Sequence, residues 1–233
     1  MKFRGSATLS ATYGPTGRFI TADSEYAFVR EWAERSDPDS QERHEARERF
    51  VACLARVNRL NVDGATLLCF RGRRFLAGYS PVSDEMGPPP ASVARANRYN
   101  KPHESVLYLC DSQSAIANEP IAGSGPLWVQ SFVLPTDQLV IADFSSLRAD
   151  DFVGKVFWFA ELAGNDDVAV QLCFSQLIAS LVGQHFDGMR VPGVRGTHDT
   201  RYSNIVVFRA EARWKQWIAI GSRPTKATPD GFV

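Results

Sequence analysis

From Ala65 onward the chain is built of short apolar runs rather than long amphipathic stretches, and this rhythm narrows the folds open to it. Thr66–Phe70, Ser105–Cys110, Leu127–Leu134 and Leu139–Phe144 are rich in β-branched and aromatic residues. Runs of that length and content predict strands, because such side chains pack well on a pleated, half-buried surface. Gly87-Pro88-Pro89-Pro90 predicts a loop, since proline fixes φ and has no N–H to give to a helix or a central strand. One helix is signalled strongly, over Asp166–Gly183. Val170, Phe174, Leu177, Ile178 and Leu181 share one of its faces, Asp166 and Asp167 complement its positive end, and Gly183 lies near its stop. Further strands are expected near Met189–Val191, Asn204–Phe208 and Trp217–Ile220. Many strands with few helices, and no regular strand–helix alternation, predict an α+β fold rather than a doubly wound sheet.

The chain before Ala65 reads differently. Tyr13-Gly14-Pro15 marks a turn, and Asp37-Pro38 has the order of an N-cap followed by proline in a first helical turn. Phe50, Val51, Leu54 and Val57 then supply an apolar helical face that Asn61–Gly64 ends. The charged stretch Glu42–Arg49 reads as a solvated surface with internal Glu/Arg pairs. The expected organisation is therefore an N-terminal helical extension over 1–64 and a site-bearing domain over 65–233, with a frayed tail from Arg223.

Composition excludes several classes of function. With 44% hydrophobic residues and 15 Phe, the 233-residue chain can bury a substantial core. Lys+Arg and Asp+Glu both total 26, which argues against a protein held to nucleic acid by phosphate contacts. A local basic patch of Arg71, Arg73, Arg74, Arg95 and Arg98 remains open. Cys53, Cys69, Cys110 and Cys173 sit among apolar neighbours, and His44, His103, His185 and His198 share no ligand spacing, so no metal centre is expected. The N-terminus lacks the apolar run of a secretory signal and no stretch has transmembrane length, so a cytoplasmic protein is expected, with no membrane partner.

Chemistry concentrates between Phe70 and Glu119. Phe70-Arg71-Gly72-Arg73 closes an apolar run, where an arginine can offer a fork of donors to a phosphate or carboxylate. A polar loop carrying Arg98 leads into a strand carrying Tyr108, and Asp111-Ser112 opens a short helix, Gln113–Asn118, that ends at Glu119-Pro120. Each piece alone has a structural explanation. In order, "FRGRRF", "NRYNKPHESVLYLCDSQSAIANE" and "FDGMRVPGVRG…SNIVVF" resemble three blocks of the RES domain, a family of bacterial NAD-consuming toxins, over about residues 65–210.

That resemblance implies mixed β-sheets around a cleft, akin to ADP-ribosyltransferases, with NAD as substrate and no metal. It implies catalytic roles for Glu119, Arg98 and Tyr108, and NAD contacts from Arg71, Arg73, Gly193, Arg195, Ser203 and Asn204. It also implies an Xre-type antitoxin as protein partner. Two acceptors fit NAD cleavage, water and phosphate, and mono-ADP-ribosyl transfer to a protein is the alternative. The chain departs from the family at Gly193, where a serine is usual. Three readings are open there: Ser203 or Thr197 substitutes, a water or the Gly193 N–H does so, or the chain is a weakened or inactivated form that serves as a binding protein.

Overall fold

The computed structural model describes residues 12–13, 19–20, 48, 51–52, 54, 57–60, 66–118, 121, 123–145, 168–193, 202–228 and 231–232. Strands dominate. β1 (Thr12–Tyr13) and β2 (Phe19–Ile20) form a two-stranded ribbon. The other strands are β3 (Asn58–Arg59), β4 (Thr66–Arg74), β5 (Val106–Cys110), β6 (Leu127–Pro135), β7 (Ile141–Asp143), β8 (Gly188–Pro192), β9 (Ser203–Phe208), β10 (Thr225–Thr228) and β11 (Gly231–Phe232). They make one sheet of nine strands in the order β11-β10-β6-β4-β5-β9-β8-β7-β3. β7 and β8 are its parallel pair, and the connection between them contains the helix α1 (Val168–Val182), as a parallel crossover requires. This is an α+β arrangement.

The sheet has a seam. β4 matches β6 along its whole length, from Thr66↔Pro135 to Arg74↔Leu127, and β5 matches β9 from Val106↔Phe208 to Cys110↔Asn204. Between β4 and β5 the register consists of Phe70↔Cys110 alone. The ladder between the two halves of the sheet is therefore a single pair, beyond which β4 continues through Arg71 to Arg74 without a further register partner on β5. The chain then travels through residues 75–105 before it returns as β5.

Alternation along the strands sorts side chains onto two faces. Cys69, Leu107, Leu109, Phe132, Leu134, Ile141, Ile205 and Val207 face one way, under Met86, Trp214 and Trp217. Tyr108, Met189, Val191 and Val206 face the other way, under Leu177, Ile178, Ala179, Leu181 and Val182 of α1 and beside Tyr99 and Phe144. A smaller cluster on this second side gathers Phe70, Cys110, Ala115, Ile116, Leu127, Val129 and Tyr202. Burying a side chain such as Phe132 or Phe144 contributes about 1.5–3 kcal/mol each.

Several expectations need correction. The strand expected over Thr66–Phe70 runs on to Arg74, so Arg71 and Arg73 are interior to it rather than at its end. Trp217–Ile220 is not a strand: Trp214–Trp217 is a 3-10 turn, after which Ile218 makes an isolated bridge to Phe132. The tail is not frayed over Thr225–Thr228, which pairs with β6 through Thr225↔Val129 and Lys226↔Trp128. Asn58–Arg59 is an edge strand beside β7, and Leu54 and Leu60 enter the two main cores. Pro88–Pro90 is loop as expected, and Gly183 lies directly beyond α1, its N–H bonded to the Ala179 carbonyl at 2.8 Å. Asp166, Asp167, most of the helix expected after Asp37-Pro38, Cys53 and the side chains of Val170, Cys173 and Phe174 lie outside the described residues.

Candidate functional site

Asn97-Arg98-Tyr99-Asn100 forms a tight turn. The Asn97 N–H donates to Asn100 O at 3.0 Å and the Asn100 N–H to Asn97 O at 3.3 Å, which leaves Arg98 and Tyr99 at the tip. The Asn97 side chain stabilises the bend by accepting the Arg98 N–H at 2.9 Å, as asparagine commonly does in turns. Arg98 lies with its guanidinium carbon 5.2 Å from the Tyr99 ring centroid, within cation–π range.

Tyr108 ties this turn to β5. Its hydroxyl donates to Asn100 Oδ1 at 2.9 Å and accepts the Tyr99 N–H at 3.0 Å. Its ring stacks against Tyr99, centroids 6.5 Å apart. Burial, the largest cause, raises the phenol above its ordinary range, so it works as a neutral hydrogen-bonding group. Asn100, only 4% exposed, uses its amide nitrogen to hold three carbonyls, Arg95 at 2.8 Å, Lys101 at 2.9 Å and Glu104 at 3.3 Å. Sequence reasoning passed over Asn100. The signal available was an Asn-x-x-Asn pair flanking the arginine.

Arg71 reaches Tyr108 from the other side of the seam. Its Nη1 donates at 3.1 Å to the Tyr108 carbonyl of β5, beyond the single β4–β5 register pair. The residue is 8% exposed, and its buried Nε has no hydrogen-bond partner among the described residues. Burial, and then the neighbouring charge of Arg73, pull the guanidinium down to about 9, so it is still charged at neutral pH. No described carboxylate pairs with it. A buried charge in that condition is destabilising by several kcal/mol unless something compensates it.

The other expected residues fall into three groups. Arg73 is spent on backbone carbonyls, those of Glu85 and of Gly87 at 3.5 Å, and Arg74 bonds Gly125 O at 3.0 Å. The five arginines therefore do not form one free basic patch. Arg73 and Arg74 border a cleft of about 440 Å³ whose other walls include Asp84, Glu85, Glu211 and Trp214. That cleft includes none of Arg98, Tyr108 or Arg71 in its lining.

Gly193, Ser203 and Asn204 lie together on β9 and the end of β8. Asn204 pairs with Cys110 and, two positions along, Val206 pairs with Tyr108, which puts Asn204 about 7 Å along the strand from the tyrosine's row. Ser203 is anchored by Asp111, whose Oδ1 accepts its N–H at 2.7 Å. Asp111 also pairs with Arg190 at 2.8 Å, and Arg190 lies 3.7 Å from Asp143. Asp111 and Ser112, expected together at the start of the short helix, divide their roles. Asp111 joins the end of β5 to β8 and β9, while Ser112 takes the capping role with its hydroxyl 3.4 Å from the Ala115 N–H.

Gly193 has a packing reason to be glycine. Its N–H donates to Tyr202 O at 2.8 Å, and a Cβ there would overlap the Tyr202 ring, 2.5 Å from Cζ and nearer still to Cδ2 and Cε2. Tyr202 was not anticipated from the sequence, and it is 6% exposed. Glu119, Arg195 and Thr197 lie outside the described residues. No group of three or more His, Cys, Asp or Glu among the described residues is arranged to hold a metal.

A scan against protein-family models gives no match, and a search of curated proteins gives none either. Among solved structures, a chain of the M. tuberculosis MbcT–MbcA toxin–antitoxin complex is similar at 16% identity and a TM-score of 0.49, over 80% of this chain and 94% of that one. At that level the match assigns neither a residue nor an activity to this chain.

Proposed function

We propose that this chain is an NAD-consuming toxin that breaks the nicotinamide–ribose bond. The observation that carries the reading is Arg71: a buried guanidinium beside the single β4–β5 register pair, with an unpartnered Nε and no described counter-charge. A dinucleotide's pyrophosphate would compensate that charge, and planar guanidinium donors match its oxygens. Arg98, whose neighbour Tyr99 donates its N–H to the Tyr108 hydroxyl and whose charge acts on that phenol, supplies the second cationic group.

In this reading the C–N bond to nicotinamide breaks with its electron pair leaving on the base. Positive charge grows on the ribose, and water or phosphate adds to that carbon. Glu119 stabilises the developing charge electrostatically, as carboxylates do beside oxocarbenium-like centres. Tyr108 holds the Arg98 turn through its hydroxyl. Asn204 and Ser203 line the neighbouring wall, with Arg195 assigned there by the family pattern. An Xre-type antitoxin is the proposed protein partner.

Incubating the full chain with NAD and phosphate, then identifying products, tests this. Free nicotinamide with ADP-ribose, or with its phosphorylated counterpart, supports it. Label transferred to protein would support mono-ADP-ribosyl transfer instead. The Tyr202 ring packed on Gly193 favours a glycine native to this wall, and so favours a second reading, a nucleotide-binding protein without turnover. NAD that binds but stays intact would select that second reading.

A further inference from the structure

The Arg98 turn is fastened at a second point that no feature of the sequence announced. Gln176, half-buried on α1, donates from Nε2 to the Asn97 carbonyl at 2.9 Å. That carbonyl already accepts the Asn100 N–H that closes the turn. The residues flanking Gln176, Ser175 and Leu177, are packed or buried, and Ile178, Ala179, Leu181 and Val182 sit in the core beside Tyr99. The helix is thus a fixed support, and the glutamine transfers its rigidity to the turn. On the other side Tyr108 and Asn100 fasten the same four residues to the sheet.

We propose that Gln176 is a positioning residue: from α1 it holds the 97–100 turn so that the Arg98 guanidinium meets the ligand's anion. This rests on the reading of Arg98 as a ligand contact given above. A ligand-gripping arginine on an unsupported surface turn would lose affinity to its own rearrangement, because freezing loop residues on binding carries an entropic penalty. A single neutral hydrogen bond corresponds to about a fivefold change in an equilibrium constant.

The test uses the full-length chain and three variants, Gln176→Met, Arg98→Ala and the double variant. Methionine keeps the shape and neutrality of glutamine and removes the donor. Affinity for NAD and for inorganic pyrophosphate is measured by calorimetry, with amide exchange of residues 97–100 and urea unfolding alongside. The expected result is about fivefold weaker pyrophosphate binding and about fivefold faster turn exchange in Gln176→Met, with an unchanged unfolding midpoint. In the Arg98→Ala background the same substitution is expected to leave affinity unaltered, because it acts through Arg98. Full affinity in Gln176→Met overturns the inference, and so does an equal loss in both backgrounds. A parent chain that takes up neither NAD nor pyrophosphate overturns the functional reading and this inference together, and shows it before any variant is made.

Discussion

Gly193 offers the sharpest physical test of how this wall is built. Replacing it by alanine adds one methyl group, whose carbon would overlap two atoms of the Tyr202 ring and lie 2.5 Å from a third. Comfortable carbon–carbon contacts begin near about 3.5 Å, so the ring or the strand must move by roughly an ångström. Neither moves easily. The Gly193 N–H is bonded to the Tyr202 carbonyl at 2.8 Å, continuing the β8–β9 ladder. The ring itself is packed with Cys110, Ile116 and Val129. Overpacking of this kind destabilises by about 1–3 kcal/mol, which for a chain of this size lowers the thermal midpoint by about 2–4 °C per kcal/mol. Gly193→Ser should lose at least as much, so installing the serine usual in the RES family should not by itself restore a working site. Urea unfolding followed by tryptophan fluorescence measures the loss. The double variant Gly193→Ala/Tyr202→Ala supplies the control, because truncating the ring makes room for the methyl. The two substitutions should then be non-additive by about 1 kcal/mol or more. A Gly193→Ala chain as stable as the parent, or strictly additive effects, would refute the reasoning.

The buried arginine gives two further expectations. Arg71→Met should abolish pyrophosphate and NAD binding while leaving stability equal or raised by about 1–4 kcal/mol, since it removes a buried charge without a described counter-charge; a large drop in unfolding midpoint would show the charge is compensated within the fold. Because burial lowers Arg71 to about 9 and an anion binds its protonated form, anion affinity should hold between about pH 6 and 8 and fall as pH rises through about 9, read by calorimetry; affinity flat to pH 10 would refute the lowered titration of Arg71. Tyr108→Phe keeps the stacked ring but removes the hydroxyl shared by Asn100 and Tyr99, and should cost about 1–3 kcal/mol in urea unfolding with faster exchange at the Tyr99 amide; unchanged exchange would refute the anchoring role. Glu119→Gln should eliminate NAD turnover with the unfolding free energy within about 0.5 kcal/mol of the parent, and full turnover would remove Glu119 from the chemistry.

The sequence by itself determined where several of the strands and the helix α1 lie, because apolar periodicity and breakers act over a few residues and need no partner. Thr66–Phe70, Ser105–Cys110 and the apolar face of α1 around Leu177 and Ile178 are legible for that reason. It also determined that an arginine, a tyrosine and their neighbours follow one another at the spacing of a known pattern. It could not say that β4 and β5 touch at one register pair, because strand pairing is a contact between segments thirty or more residues apart. Where that pairing stops, the Tyr108 carbonyl takes a side-chain donor, Arg71 Nη1, at 3.1 Å. The tail after Arg223 misled for the same reason: Thr225 and Lys226 become a strand only because β6 offers a free edge. Gly193 and Tyr202, nine positions apart in the chain, are one packing decision, made where two strands press a glycine against a ring. Local chemistry wrote the elements, and long-range contact assigned them their work.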